Sequence, residues 1–423
     1  MTAQSEPLTK QQVFDLFGKH VSSGKAKYFK EFGLDFVMGR RQGPYIWDID
    51  ESRRLINCHC NGGVFNLGHH NPQIIEALQE ALKEKDIGNH HFVSDSRARL
   101  AAKIADLTPG DLQYTIFGVS GGEAVDAAIK IARKATQRKK IISAKGGYHG
   151  HTGLSLAAGD DKFSAPFLSG SDNFMSVPFN DINALEKALN DEVAAVILET
   201  IPATSGILIP DDDYLPQVKA LCVKNGSLYI ADEVQTGLGR TGKLWGVDHY
   251  NVAPDILVIG KGLSGGIYPI TATVITPQLE CVFHEDPFLH ISTFGGAELG
   301  CTVAEKVLEI SSGQEFLDGV NAAAEILQAG ILKLQKETAP YFAQFRGKGL
   351  MMGLQMAMPE LGQLMCKMTF EAGLFCVFCG LDYSVVQFLP PLITDEKLAK
   401  EILKRLAKAF TLAQEFAQEG GTI

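Results

Sequence analysis

Two short apolar runs constrain the fold of this chain more than any other feature. Residues 227–231 read Ser-Leu-Tyr-Ile-Ala and stop at Asp232. Residues 255–259 read Asp-Ile-Leu-Val-Ile and stop at Gly260 and Lys261. Each has the length and β-branched content of a buried strand. An acid thus closes one strand and a lysine closes another, and in parallel α/β sheets the carboxyl ends of strands are where ligands bind. Singly, Asp232 suits a turn start and Lys261 a solvated loop. Together, on successive strand ends, they mark a site. Between Gly260 and Gly262 the lysine has no packing role, and its stem is crowded by apolar strand. Its amine is partly desolvated, which lowers a lysine pKa and makes the amine nucleophilic toward carbonyls.

The same grammar extends to either side. Residues 193–198 are continuously apolar, as in a strand buried on both faces, and end at Glu199. Residues 140–144 form a strand that runs into Gly146-Gly147-Tyr148-His149-Gly150-His151. Residues 114–117 form another, followed by Ser120-Gly121-Gly122-Glu123 and a helix with Val125, Ile129 and Ala132 on one face. Ser120 and Glu123 have capping-box spacing, and a glycine-led helix N-terminus suits an anion. A helix starting at Pro72 carries Ile74, Ile75, Ala77, Leu78 and Leu82 as a stripe, residues 45–50 read as a hairpin, and 270–275 continue the sheet. Strands alternating with helices from about 70 to 280 predict an α/β fold with a mostly parallel sheet. From about residue 312 the alternation stops. Helices are expected over 314–338 and 359–372, and a last one, capped by Thr394, carries Leu398, Ile402, Leu406 and Phe410. The expected division is a large domain over 64–311 and a small α+β domain built from 1–63 and 312–423.

Several function classes fall away. Gly237-Leu238-Gly239-Arg240-Thr241-Gly242 matches G-x-G-x-x-G, but Lys243-Leu244-Trp245-Gly246 follows instead of a helix with a core stripe, so it is no dinucleotide fingerprint. The formal net charge of −10 leaves no footprint for nucleic acid. No apolar run is long enough to span a membrane. The start, MTAQSEPLTKQQ, has no apolar leader core. Eight scattered cysteines are no disulfide framework, and the Cys376-x-x-Cys379 pair has no second pair to complete a zinc site. The His69-His70 and His90-His91 pairs lack acids or cysteines at ligand spacing, so no metal is expected. A cytoplasmic protein is the resulting expectation.

Asp-Glu-Val-Gln-Thr-Gly-Leu-Gly-Arg-Thr-Gly (232–242), followed by Pro-Asp-Ile-Leu-Val-Ile-Gly-Lys-Gly-Leu-Ser-Gly-Gly (254–266), resembles the class III, ornithine-aminotransferase-like branch of the fold type I pyridoxal-phosphate enzymes. The resemblance covers nearly the whole chain. It implies pyridoxal 5'-phosphate as cofactor, with Lys261 holding it and Asp232 facing its ring nitrogen. Val234 would pack on one ring face and Tyr148 on the other, with His149 beside it, and Gln235 would meet the phenolic oxygen. Ser120, Gly121 and Gly122 would cradle the phosphate, and Glu199 completes the cofactor-binding set. The resemblance also implies a homodimer with shared sites, in which Thr293 of Ile291-Ser292-Thr293-Phe294-Gly295-Gly296 reaches the neighbour's cofactor.

The chain departs from the glutamate-using members at substrate positions. Gln387 stands where they place an arginine, Thr204 where they place a glutamate gate, and His151 where some place a second arginine. Arg40 or Arg41 could substitute for the missing arginine. The expected activity is transfer of an amino group between a small amine or amino acid and a keto acid, with glutamate not preferred. The alternative is a lyase of the same branch that eliminates phosphate or ammonia. A catalytically dead relative is disfavoured by the intact Asp232 and Lys261.

Overall fold

The structure is a computed structural model and describes residues 7–418. The expectation of no apolar leader core rests partly on residues 1–6, which lie outside the described residues. A seven-stranded sheet dominates, in the order Tyr114–Gly118, Thr271–Ile275, Ile256–Ile259, Leu228–Asp232, Val193–Glu199, Lys140–Ala144, Phe174–Val177. The last five pair in parallel, and Thr271–Ile275 runs against both its neighbours. This is the mostly parallel α/β fold that the alternation predicts.

Side-chain alternation explains why such apolar strands are needed. Val196, Leu198, Tyr229, Ala231, Leu257 and Ile259 enter one core, against Ile74, Leu100, Ile104, Val218 and Val303 from four helices. Their neighbours Ala195, Ile197, Ile230 and Val258 enter a second core on the opposite face, under Val125, Ala128 and Ile129 of the Gly121–Thr136 helix. A strand with helices on both faces has no solvent side, so it cannot alternate with polar residues. Each large apolar side chain buried this way contributes about 1.5–3 kcal/mol.

Three local expectations change in detail. Ser120 Oγ accepts the Glu123 N–H at 3.2 Å, but the Glu123 carboxylate returns to the Val119 N–H at 2.7 Å rather than to Ser120, so the box is half formed. The last helix, Glu396–Gln418, is capped by Asp395, whose carboxylate accepts the Leu398 N–H at 2.7 Å; Thr394 instead donates to the Pro391 carbonyl. The Pro72–Ala81 helix ends one residue before Leu82, so that leucine is exposed and only Ile74 of the stripe is fully buried.

Both chain ends meet in a further core. Leu374–Phe375 pairs in parallel with Arg54–Asn57, and Ile56 and Cys58 pack with Leu327, Leu354, Phe388, Ile402 and Phe410. Arg240 ties this core to the large sheet. It is fully buried and donates to the carbonyls of Leu350 at 3.0 Å and Pro390 at 2.7 Å, and to Asn66 Oδ1 at 2.6 Å. Burial draws its pKa down to about 10, against the raising influence of Cys60 and Cys58. Arg240→Ala would leave three buried acceptors unpaired and is expected to destabilise the fold by roughly 3 kcal/mol or more. Arg240→Lys should recover only part, since one ammonium cannot span the fork. Urea denaturation midpoints of the two variants check this.

Candidate active site

The site is assembled at the carboxyl edge of the large sheet. Glu199 and Asp232 are the final residues of adjacent parallel strands and stand directly opposite one another. The next strand, Ile256–Ile259, delivers Lys261 through Gly260. Lys261 itself has a φ of +42°, in the left-handed region that a side chain disfavours. Such a conformation costs about 1–2 kcal/mol, and residues held in it concentrate at functional sites. Its carbonyl accepts the Ser264 hydroxyl at 2.7 Å, which holds the tight turn. Gly62 makes room for the lysine stem: a Cβ there would lie 3.1 Å from Lys261 Cε.

Around these groups lies a cavity of about 360 Å³. Ser120, Gly121 and Gly122 form one wall, at the start of a 16-residue helix whose first N–H groups have no intrahelical partner. Tyr148, His149 and His151 form another, and Val234 and Gln235 lie beside Lys261. Close packing explains Gly122. A Cβ there would come within 2.8 Å of Thr152 Oγ1, and one on Gly150 within 2.6 Å of the Gly122 Cα.

Asp232 is fully engaged. One oxygen lies 2.8 Å from His149 Nδ1 and the other accepts the Val234 N–H at 3.1 Å. Burial works to neutralise His149, but its bond to Asp232, with the charges of Asp232 and Glu199, outweighs burial and raises its pKa. Glu199 accepts the Tyr148 N–H at 2.8 Å. Burial pushes Glu199 up to about 7, opposed by the charge of His149 and reinforced by that of Asp232. For Lys261 burial lowers the pKa, against the pull of Asp232 and Glu199. An amine with depressed basicity, a fixed carboxylate and a helix N-terminus share one cavity with an aromatic ring. That donor set fits pyridoxal phosphate, which needs a carbonyl-reactive amine, a partner for its ring nitrogen and an anion site.

The remaining substrate positions are not all brought together. His151 lines the cavity, its ring edge-on to Tyr148 at 5.4 Å and to Phe163 at 5.8 Å. Gln387 is buried in the Val385–Phe388 strand, opposite Gly353 and Val377, and Thr204 sits in a turn that accepts the Leu381 N–H; neither lines the cavity. Thr293 is exposed on a surface loop of this chain. Arg40 stacks on Trp47 and pairs with Glu51, Arg41 bonds the Gly39 carbonyl, and neither reaches the cavity. Among the described residues no group of three or more His, Cys, Asp or Glu could hold a metal ion.

Glu233 is a residue that sequence reasoning passed over. Its carboxylate is buried beneath Asp232 and accepts the N–H groups of Gly246 at 2.7 Å and Val247 at 3.0 Å and the Thr200 hydroxyl. Its adjacency to Asp232 was the available signal, because the pleat turns successive side chains to opposite faces. Burial pushes its pKa up to about 7, against those three hydrogen bonds. The folded state therefore holds more protons than the unfolded one between the ordinary carboxylate pKa and about pH 7. Stability is then greatest below that window and falls as pH rises through it. Glu233→Gln should flatten this slope, narrowing any deficit against wild type as pH rises, by about 1.4 kcal/mol per pKa unit removed. Urea midpoints of both proteins from pH 5 to 8 check it.

Comparison with known proteins follows the same lines. Residues 30–410 match the family described as aminotransferase class-III. An aminotransferase of Archaeoglobus fulgidus, described as uncharacterized, is 53% identical over 96% of this chain and 95% of its own length. The putrescine aminotransferase of Pectobacterium atrosepticum is 36% identical over 94% of this chain and 89% of its own length. Among solved structures, the ornithine aminotransferase of Toxoplasma gondii superposes with a TM-score of 0.88 at 26% identity, covering 97% of both chains. The acetylornithine aminotransferase of Elizabethkingia anophelis does so with a TM-score of 0.82 at 28% identity, over 96% of this chain and all of that one. These relatives are aminotransferases, and none favours the elimination reading. A fold type I architecture, a cavity suited to pyridoxal phosphate and a match over most of its length place this chain in the class-III aminotransferase family, as a pyridoxal-phosphate-dependent enzyme of amino-group transfer.

Proposed function

We propose that Lys261 and Asp232 are the catalytic pair of this aminotransferase, and that its amino donor is a small amine or amino acid without a second carboxylate. One observation carries the substrate reading: the cavity is lined by two acids, Glu199 and Asp232, and by no arginine. Lys261 is its one lysine. A dicarboxylate would meet no guanidinium fork there, whereas a second ammonium would meet the aromatic faces of Tyr148 and His151. The named substrate of the 36%-identical relative, putrescine, is a diamine of this kind.

The residues divide the work as follows. When bound, pyridoxal phosphate supplies an electron sink for charge developing at the substrate carbon. Ser120, Gly121 and Gly122 would hold its phosphate and Asp232 its ring nitrogen. Val234 and Tyr148 would enclose the ring, and Gln235 would meet its phenolic oxygen. His149 holds Asp232 in place, and its raised pKa favours positive charge against that carboxylate. Lys261 would hold the cofactor and, with its lowered pKa, serve as the base that moves the substrate proton. Glu199 braces the backbone that carries Tyr148. His151, Thr204 and Gln387 stand as substrate-determining positions, and only His151 touches the cavity.

A cytoplasmic homodimer with shared sites completes the reading. Thr293 lies among exposed apolar side chains, Phe288, Ile291 and Phe294, which a second copy would cover. No helix among the described residues is long and apolar enough to cross a membrane. The separate cores support a division into 64–311 and a part made of 1–63 and 312–423.

Borohydride reduction of the holoenzyme followed by peptide mapping is expected to place the cofactor on Lys261; label on any other lysine would overturn the assignment. In single-turnover assays glutamate is expected to convert the cofactor to its amine form roughly ten- to hundredfold more slowly than a diamine, the loss attached to one charge-assisted hydrogen bond. Equal rates would refute the substrate reading while leaving that of Lys261 intact.

A further inference from the structure

At the other end of the Gly121–Thr136 helix a second groove opens, of about 500 Å³. It shares no lining residue with the active-site cavity. Gly121 and Lys134 are thirteen residues apart on that helix, or roughly 20 Å. The floor is apolar, from Ile131, Leu154, Val282 and Phe283, and the rim is cationic, from Lys130, Arg133, Lys134, Arg138 and Lys139, with His290 across from them. In a chain of formal net charge −10 this is a concentrated reversal of sign.

Little within the fold consumes that charge. Lys134 meets only the exposed Glu285 at 3.8 Å, and Arg138 is spent on the carbonyls of Val193 and Asn225. Lys130 lies 2.8 Å from His290 Nδ1, a ring that is itself no anion. The Arg133 guanidinium stacks on Phe174 and gives one N–H to the Lys139 carbonyl, while its Nη2 has no partner. His290 Nε2 is likewise unpartnered. Arg133 and Lys134 suit a helix C-terminus by charge alone. Lys130 lies a turn earlier and Lys139 beyond the helix end, so the dipole does not explain them.

We propose that this groove binds a small soluble organic anion, a carboxylate or sulfonate joined to an apolar arm. The arm would cover Ile131, Val282 and Phe283, and the anion would take the N–H groups of Arg133 with Lys130 and Lys139. A rim of fixed cations over an apolar floor selects that combination, because an apolar ligand forgoes the rim and an inorganic anion forgoes the floor.

The test uses holoenzyme and the fluorescent aryl sulfonate 8-anilinonaphthalene-1-sulfonate. Saturable binding is expected at one site per chain that depends on the groove. The charge reversals Lys130→Glu and Lys139→Glu, both at exposed positions, should together weaken it at least about tenfold with thermal stability and transaminase rate unchanged. Arg133→Gln should do the same if it folds. Octanoate should displace the probe and octylamine should not. Unchanged affinity in the folded double variant, or equal displacement by octylamine, would overturn the proposal. So would binding to phosphatidylglycerol vesicles that octanoate cannot compete with.

Discussion

Two carboxylates facing each other across adjacent strands set the terms for this molecule. The parallel register puts Glu199 opposite Asp232, and neighbouring strands lie only about 4.8 Å apart. Like charges in that position repel, and both side chains are buried. The fold resolves the conflict asymmetrically. Asp232 takes a histidine and a backbone N–H, while Glu199 takes one N–H and holds its proton up to about pH 7. Of the two, Asp232 is the more heavily bonded, and it is the one placed to face a ring nitrogen.

Everything around the pair holds that edge rigid. The strands have no freedom to slide, because a one-residue slip would turn every apolar side chain to the wrong core. Below the edge, Glu233 gathers Thr200, Gly246 and Val247 onto one carboxylate. Beyond it, Arg240 clamps the loop after Asp232 to segments more than a hundred residues away. A lysine in a left-handed conformation persists only where its surroundings over-determine it, and these two buried networks supply that constraint.

Charge is distributed with the same economy. The acid-lined cavity stands at the positive end of the Gly121–Thr136 helix, and the cationic groove at its negative end. Asp126 links the helix to the active-site wall, accepting the Thr152 hydroxyl at 2.8 Å and the Ser155 N–H at 2.6 Å.

The strands, the parallel sheet and the positions of Asp232 and Lys261 were legible in the amino-acid sequence, because burial on both faces demands uninterrupted apolar runs and turns demand glycine. The helix start at Gly121 was legible for a similar local reason: Ser120 caps it as its residue type predicts. Caps at Asp395 and the partial box at Glu123 were less so, since neighbouring polar residues compete for the same N–H groups. What sequence alone could not show was who meets whom. Gln387 and Thr204 match substrate positions by motif, yet strand pairing and a turn keep them from the cavity wall. The bond from His149 to Asp232, the roles of Glu233 and Arg240 and the basic groove all join residues distant in the chain or on opposite faces of a strand. Local pattern determined the elements and their ends. Only three-dimensional packing decided the partners, because a buried charge is defined by what surrounds it and not by its neighbours in sequence.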